Sequence, residues 1–295
     1  MNILLFAATV LIWGSTWIAI TFQVGPVPVL ASVFYRFALA GLVYLAVLAL
    51  SGRLVIPKGR ERLWILAQAF CLFSLNFICF YTAAGYVHSG LISVIFSLAT
   101  LFNAVNARIF FKDAISGRTV LASALGVAGL VLLFGPELAV SHDGGVLTGI
   151  FFACLGTMLF SLGNMVSRRN SAAGISPVTA TSWGMGCGAV ILLVLIALTG
   201  TPLVAPPDAA YVGALVYLAV IGSVVGFTTY LMMVARMGSS RAAYATVLFP
   251  VVALALSTVF EGYQWHPSAV AGLILALLGN VVMFAPRRKT AALAA

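Results

Sequence analysis

Long apolar stretches alternate with short polar connections along the whole chain. About 20 apolar residues cross a bilayer as a helix, because the hydrocarbon core is about 30 Å thick and each helical residue rises about 1.5 Å. Charge-poor stretches of this kind cover residues 3–22, 29–50, 63–83, 87–107, 118–134, 146–167, 177–199, 209–235, 242–260 and 268–285. Glycine, proline and aspartate, which are typical of turns, separate them. The pattern predicts ten transmembrane helices, numbered first to tenth below.

The composition excludes a water-soluble protein. Apolar residues make up 63% of the 295 positions and charged residues 7%, whereas soluble proteins carry about 45–50% and about 25%. A cytosolic enzyme, a disordered chain, a coiled coil and a disulfide-linked secreted domain are therefore excluded. The four cysteines lie inside apolar stretches without a CxxC pair, so we interpret them as small buried hydrophobic residues. The predicted fold class is an all-α integral membrane protein that has the lipid bilayer as its partner.

Basic residues indicate how the helices are oriented. The net charge is +9, which in a soluble protein would raise the question of nucleic-acid binding. Here fourteen of the fifteen basic residues follow even-numbered helices, and the connections after odd-numbered helices hold only acidic charges, at Glu137, Asp143, Asp208 and Glu261. Cytoplasmic connections of membrane proteins are rich in Lys and Arg. We therefore expect both termini in the cytoplasm and no nucleic-acid partner.

The two halves of the chain resemble each other at an offset of 147 to 150 residues. Phe134-Gly135-Pro136 at the end of the fifth helix returns as Phe284-Ala285-Pro286 at the end of the tenth, and Pro28 returns as Pro177. This pattern indicates a duplication, with five helices in residues 1–140 and five in residues 141–295. Because five is odd, the second copy enters the membrane inverted. Inverted repeats are typical of secondary transporters, whose substrate site lies near the middle of the bilayer.

Several motifs are typical of one known family. They are Trp13-Gly14-Ser15, Tyr35-Arg36-Phe37, Phe249-Pro250, Phe260-Glu261-Gly262-Tyr263-Gln264-Trp265 and Gly279-Asn280. On these motifs, which occur in both halves, the chain resembles the drug/metabolite transporter superfamily, specifically its ten-helix EamA-type carriers. The resemblance implies a bacterial inner-membrane exporter of small metabolites, often amino acids, aromatic ones included. Thr100 stands where the first repeat of the family usually has proline, so we expect a softer hinge, or none, in the fourth helix.

Arg36 lies well inside the second predicted helix. A charge at the bilayer centre costs about 2.5–3.5 kcal/mol on insertion scales, so this side chain should face protein or water. Its guanidinium could bind a substrate carboxylate; the alternatives are bonds to helix carbonyls or a pair with Glu261. All six acidic residues lie in connections or at helix ends. Proton coupling through a buried carboxylate and transport of permanent cations are therefore both unsupported.

Aromatic, amide and hydroxyl side chains mark a candidate substrate cavity. In addition to Arg36, the candidates are Trp17, Asn76, Phe80, His88, Ser93, Asn164, Tyr230 and Tyr244. Residues four apart, such as Asn76 and Phe80, share a helix face, and buried amides in lipid need polar partners. Helix–helix hydrogen bonding is the alternative for the amides, and a structural role is the alternative for His88. A cavity of this kind, with little charge, suits neutral or zwitterionic solutes.

Proline and glycine indicate where helices bend and pack. Pro250 removes a backbone hydrogen bond in the ninth helix and should bend it, so Thr100 and Pro250 are the hinge candidates, with a fixed bend as the alternative for Pro250. Glycines in the seventh and eighth helices fit the small-residue packing pattern. They are compatible with packing inside a monomer and with a dimer face, and the sequence leaves both open.

Facilitated export by alternating access is the leading functional hypothesis, with amino acids or similar small metabolites as cargo. An exchanger of phosphorylated sugars or nucleotide-sugars with the same fold would need several cations in the cavity, and only Arg36 qualifies. An intramembrane enzyme is the alternative from another class. The chain has no G-x-S-x-G, no H-E-x-x-H and no paired membrane carboxylates, the patterns that such chemistry uses. We therefore expect a transporter rather than an enzyme, with no cofactor and no metal.

Overall fold

The computed structural model describes residues 2–140, 144–237 and 244–284, and within these ranges the chain is helical with short connections and no β-strand. The helices are α1 (Asn2–Thr21), α2 (Val29–Leu50), α3 (Glu61–Ala83), α4 (Ser89–Phe111), α5 (Gly117–Val140), α6 (Gly145–Ala172), α7 (Pro177–Thr199), α8 (209–237), α9 (Tyr244–Phe260) and α10 (Pro267–Phe284). A helix satisfies its backbone polar groups internally, which lipid requires, so apolar stretches of this length fold as helices.

The helices agree with the predicted membrane class. Eight of them, α1 to α8, are long and apolar enough to cross a membrane, and the apolar stretches 245–260 in α9 and 267–283 in α10 are shorter. Each stretch predicted from the hydropathy pattern overlaps one of the ten described helices. The all-α integral membrane fold is therefore confirmed, while the cytoplasmic position of the termini stays a prediction.

Local signals set where several helices begin and end. The Ser176 hydroxyl accepts a hydrogen bond from the backbone N–H of Thr179 and precedes Pro177, and α7 ends at Gly200, where φ is 65°. A side-chain oxygen at the N-cap satisfies a free backbone N–H, and glycine adopts the left-handed conformation at the end of a helix without strain. These signals are local, and the observed bounds of α7 agree with the predicted stretch 177–199.

Charged residues distinguish the two ends of the helix bundle. The acidic end holds Asp208 and Glu261, in the connections before α8 and after α9, and the basic end holds Lys58 and Lys112, in the connections after α2 and α4. The depth of a residue in the bundle follows from its position along its helix between these ends. Under the predicted orientation the acidic end faces the outside of the cell.

The pairs of helices in contact stay the same when each of the first five helices is replaced by its counterpart among the last five, and the reverse. α2 packs against α7, α4 against α9, and α5 against α10. The pair α1–α9 has its counterpart in α6–α4, the pair α1–α8 in α6–α3, and the pair α2–α8 in α7–α3. These are the pairs that two five-helix units related by a two-fold axis would form.

Glycines bring α5 and α10 together backbone to backbone. A Cβ on Gly129 would lie 2.6 Å from the Gly272 carbonyl oxygen, and a Cβ on Gly279 would lie 2.7 Å from the Ala122 carbonyl oxygen. Gly129 and Gly279, like Ala122 and Gly272, are 150 positions apart, so the two close contacts correspond to each other in the two halves. Small residues permit this approach in lipid, where van der Waals packing drives helix association.

Gly129→Ala should lower the free energy of unfolding by about 1–3 kcal/mol, the usual effect of overpacking. The added methyl group would collide with the backbone of α10, which cannot rotate away as a flexible side chain can. Gly135→Ala in the same helix is the matched control, because nothing lies within 4 Å of its Cβ position. Thermal unfolding in detergent micelles measures both variants, and equal midpoints would contradict the close approach of α5 and α10.

The glycine-rich faces of α7 and α8 are covered by other helices of the same chain. A Cβ on Gly184 or Gly188 would come within 3.0 Å of Phe73 on α3. One on Gly226 would lie 2.5 Å from the indole nitrogen of Trp13 on α1. The sequence left two interpretations open for these glycines, packing inside a monomer and a dimer face. Packing inside one chain accounts for Gly184, Gly188 and Gly226.

Two helices contain a wide turn at corresponding positions. α3 has a π-helical turn at Cys71–Leu75 and α8 has one at Tyr217–Val225. In each turn a serine hydroxyl, that of Ser74 or Ser223, donates over 2.9 Å to the carbonyl oxygen five residues earlier. The hydroxyl therefore satisfies a carbonyl of the widened turn. Wide turns of this kind occur frequently at functional sites, and both lie near the middle of their helices.

Candidate functional site

Four aromatic rings from four helices meet in the interior of the bundle, towards its acidic end, and we call them the Trp17 cluster. Trp17 on α1 lies 5.3 Å from both Phe80 on α3 and Phe96 on α4, between ring centroids, and Phe80 lies 5.7 Å from Phe96. Phe160 on α6 completes the cluster at 4.7 Å from Phe96. Edge-to-face pairs at these distances are favourable. The structure thus brings together Trp17 and Phe80, two of the predicted site residues.

A second group of rings, the Trp13 cluster, lies nearer the basic end. Trp13 on α1 contacts Phe227 and Tyr230 on α8 and Phe249 on α9, with centroids 5.0, 5.1 and 5.7 Å away. The Trp13 indole N–H donates to the Gly222 carbonyl oxygen over 3.0 Å, which holds the ring against the wide turn of α8. Tyr230, a predicted site residue, therefore belongs to a different cluster from Trp17.

A continuous series of ring contacts joins the two clusters. Phe227 contacts Phe73 at 5.6 Å, Phe73 contacts Phe37 at 5.8 Å, and Phe37 contacts Phe77 at 4.8 Å. Phe77 then contacts Phe80 of the Trp17 cluster at 6.1 Å. The interior between α1, α2, α3, α4 and α8 is therefore lined largely by aromatic rings.

Arg36 of α2 lies beside this series of rings and is 3% exposed. Its guanidinium carbon lies 4.4 Å from the Phe77 ring centroid and 5.3 Å from that of Phe37. Nε and Nη2 donate to the Ser223 hydroxyl, each over 3.4 Å, and Nη1 has no hydrogen-bond partner. Arg36 thus contacts the wide turn of α8 through one long, shared interaction, and part of its hydrogen-bonding capacity is unused.

The predicted alternative that Arg36 pairs with Glu261 is wrong. Glu261, at the end of α9, accepts instead from Ser89 at the start of α4: both carboxylate oxygens lie 3.1 Å from the Ser89 backbone N–H nitrogen, and Oε2 lies 2.5 Å from Ser89 Oγ. A carboxylate is favourable here because the N-terminus of a helix carries free N–H groups and a partial positive charge.

Two further predicted residues, Asn76 and Ser93, are fully buried with unused polar atoms. Asn76 Nδ2 and Oδ1 and Ser93 Oγ have no hydrogen-bond partner. Asn76 lies one helical turn from Phe80, and Ser93 one turn from Phe96, so both share a face with a ring of the Trp17 cluster. Buried polar groups are nearly always paired. Unpaired ones beside an aromatic cluster are therefore candidate ligand contacts.

Three predicted site residues lie elsewhere or outside the described part of the chain. His88 precedes α4 at the acidic end, with its ring 5.6 Å from that of Tyr263. Asn164 donates through Nδ2 to Asn103 Oδ1 over 3.3 Å. This is a hydrogen bond between two helices, which was the predicted alternative to a role in the cavity. Tyr244 begins α9, but its side chain lies outside the described residues.

The fourth helix is interrupted although it lacks proline. Ser97 and Leu98 form a turn between the helical segments Ser89–Phe96 and Ala99–Phe111. The Thr100 hydroxyl donates to the Ser97 carbonyl oxygen over 3.1 Å, which satisfies a backbone group beside the turn. The predicted softer or absent hinge at Thr100 concerns motion and stays a prediction, whereas α9 is unbroken over Tyr244–Phe260 with Pro250 inside it. Whether either position moves stays a prediction.

α4 and α9 meet at the acidic end and separate towards the basic end. The first segment of α4 packs against α9, and its second segment packs mainly against α6 and α5. A Cβ on Gly90 would lie 2.7 Å from Leu254 and 3.0 Å from Ser257, which shows how tightly the two helices meet. The described arrangement therefore closes the acidic end between α4 and α9.

The carboxylates whose contacts are described all lie at helix ends. Glu61 accepts from the Lys58 backbone N–H, and Asp208 from that of Tyr211. Asp113 forms an ion pair with Arg168, with 2.6 Å between Oδ2 and Nη1. This hydrogen bond lowers the pKa of the Asp113 carboxyl, so the group stays charged near neutral pH. With Glu261 at Ser89, each of the four has a partner away from the aromatic clusters.

Comparison with known proteins identifies the family. The profile described as EamA-like transporter family matches the chain twice, over residues 1–135 and 147–285. The chain belongs to the EamA-like transporter family. This EamA-like protein is therefore a multi-pass membrane transporter of small molecules and not an enzyme.

Relatives and one solved structure match this EamA-like transporter over most of its length. It is 27% identical over 263 residues to the uncharacterized inner membrane transporter YedA of Escherichia coli K12, which covers 86% of this chain and 81% of YedA. It is 24% identical over 289 residues to protein PecM of Dickeya dadantii, covering 94% and 92%. A crystal structure at 17% identity matches 95% of both chains with a TM-score of 0.69, which shows a shared fold.

The sequence-based selection missed several residues of the site. Phe96 and Phe77 are ordinary phenylalanines in apolar stretches, and no local signal distinguishes them. Ser223 contacts Arg36 only because α2 and α8 pack together. Phe160 carried one usable signal, since it lies on α6 at a position that the repeat matches with Trp13 of α1.

Proposed function

We propose that the protein exports amino acids, aromatic ones included, or similar small metabolites by alternating access, without coupling to protons through a buried carboxylate. The observation that carries this proposal is the Trp17 cluster in the interior of the bundle, with unpaired Asn76, Ser93 and Arg36 polar atoms beside it. Aromatic walls with a few polar groups are typical of sites for small organic ligands.

In the proposed mechanism the chain consists of two five-helix units, 1–140 and 141–295, which are related by a two-fold axis. The double match of the family profile, the exchangeable helix pairs and the wide turns of α3 and α8 support this division. We propose that both termini are cytoplasmic, so that the acidic end faces outwards. Exchanging the shapes of the two units would then open the acidic end and close the basic end.

Contacts at the acidic end support a closed outer gate in the described arrangement. Glu261 joins the end of α9 to Ser89 at the start of α4, and Gly90 allows the two helices to touch. For export, cargo would load from the basic end, pass the turn at Ser97 and Leu98, and leave once α4 and α9 separate. Thr100 and Pro250 remain the proposed hinges.

Charge favours metabolite export over the alternative cargo. An exchanger of phosphorylated sugars or nucleotide-sugars needs several cations, because one phosphate carries about 1.5 to 2 negative charges at neutral pH. Arg36 is the only cation beside the aromatic series among the described side chains. The four described carboxylates at helix ends likewise support facilitated rather than proton-coupled movement.

The purified protein, reconstituted into sealed vesicles, should accelerate the downhill efflux of preloaded aromatic metabolites above that of protein-free vesicles. Efflux should persist when an ionophore collapses the pH gradient, because no buried carboxylate is proposed to carry protons. Radiolabelled phenylalanine and tryptophan, with glucose 6-phosphate as the competing cargo class, measure the rate. Faster movement of the sugar phosphate, or loss of efflux without the pH gradient, would contradict the proposal.

A further inference from the structure

Arg36 is a buried cation without a described counter-ion. The residue is 3% exposed, and the only ion pair among the described residues joins Arg168 and Asp113 at the basic end. The Tyr81 hydroxyl donates to Gln23 Oε1 over 2.7 Å and also interacts with Arg36, but a neutral hydroxyl does not balance the charge of the guanidinium. An unpaired charge in a low-dielectric interior is unfavourable unless an anion joins it.

The unused geometry of Arg36 matches a carboxylate. Nη1 has no partner, and Nε and Nη2 share one hydroxyl at the long distance of 3.4 Å. The planar guanidinium binds a carboxylate through two parallel hydrogen bonds. Phe77 lies against Arg36 and also contacts Phe80. A ligand whose carboxylate binds Arg36 can therefore place an apolar body in the Trp17 cluster.

No described group offers a counter-charge to an ammonium. Glu61, Asp113, Asp208 and Glu261 are each engaged at a helix end. A free amino acid would neutralise Arg36 with its carboxylate but would bring a new, uncompensated cation into the same interior. A molecule that carries the carboxylate without the ammonium avoids this penalty.

We infer that the preferred cargo is an aromatic or branched monocarboxylate without a free ammonium group, such as an N-acylated amino acid or a 2-oxo acid, whose carboxylate binds Arg36. This inference rests on the proposed transport function and narrows its substrate class. Asn76 follows the wide turn of α3, and its unpaired Nδ2 provides a hydrogen-bond donor for the acyl or oxo oxygen.

The test compares three compounds that share the phenylalanine side chain and differ in the charges they carry. Wild-type vesicles should transport N-acetylphenylalanine about tenfold faster than its neutral amide, a difference of about 1.4 kcal/mol, because only the acid forms charge-assisted hydrogen bonds with Arg36. They should also transport it faster than phenylalanine, which adds the ammonium. Equal rates for all three compounds would overturn the role of Arg36 and leave the transport function standing. If none of the compounds moves, both proposals fail.

Variants and a binding measurement separate the carboxylate role from a structural one. Arg36→Gln should lose the preference for the acid over its amide, and Arg36→Lys should retain part of it. Arg168→Gln is the matched control, because this arginine is 49% exposed at the basic end and should keep the full preference. In detergent, N-acetylphenylalanine should raise the thermal midpoint of the wild type, and its amide should not. Stabilisation by both compounds alike would also overturn the inference, even if Arg36→Gln does not fold.

Discussion

Trp17→Ala should reduce the transport of aromatic cargo about tenfold, because the lost contact between the indole and an aromatic ring of the cargo is worth about 0.5–1.5 kcal/mol. Trp17 contacts two rings, Phe80 and Phe96, in the interior of the bundle. Cargo with a small aliphatic side chain should be much less affected, so the ratio of aromatic to aliphatic flux should fall. Vesicle efflux of paired aromatic and aliphatic compounds measures this ratio.

Controls for Trp17 must separate cargo contact from stability. Trp17 is 8% exposed, so its truncation also removes packing, and only protein that elutes as a single species from a sizing column should be compared. Trp17→Phe keeps a ring and should restore most of the ratio. Trp64→Ala removes an indole that is 39% exposed and lies over Arg169, and it should leave the ratio unchanged. An unaltered ratio in Trp17→Ala would exclude the Trp17 cluster from the pathway.

Glu261→Gln should open the acidic end of the bundle. The carboxylate of Glu261 accepts from both the backbone N–H and the hydroxyl of Ser89, and its charge is favourable at the N-terminus of α4. Hydrogen bonds to a charged group are worth about 1.5–3 kcal/mol, so the population open at this end should rise about tenfold or more. Labelling of a cysteine at Ser93 by a membrane-impermeant maleimide reports this opening, once the native cysteines are replaced.

Ser93 suits this measurement because it is fully buried on the first segment of α4. Its labelling rate should be low in the parent protein and should increase in Glu261→Gln. Glu61→Gln is the matched control, since the Glu61 carboxylate accepts from the backbone N–H of Lys58, in the connection before α3 at the basic end, and does not join two helices. Equal increases in both variants would indicate a general loss of stability. No increase in Glu261→Gln would show that Glu261 does not hold the two helices together.

Properties that depend on residues close together in the sequence, such as hydropathy and short motifs, could be predicted from the sequence alone. Hydropathy and turn residues predicted ten helices, and the predicted stretch 29–50 agrees with α2 residue for residue. The motifs in both halves indicated the family, which the profile match confirms. Trp17 and Phe80 were selected for their residue types and for the face that each presents, and they do contact each other.

Properties that depend on which helices meet were decided only by the packed structure. The turn at Ser97 and Leu98 arises without the proline that a sequence pattern would use as a signal, and the wide turns of α3 and α8 contain ordinary apolar sequence. Arg36 could have paired with a carboxylate, a carbonyl or a cargo molecule, and its partner, Ser223, is 187 positions away along the chain. Hydropathy is a sum over neighbours in sequence, whereas an unpaired charge or a ring contact depends on three-dimensional distance, which a single sequence does not contain.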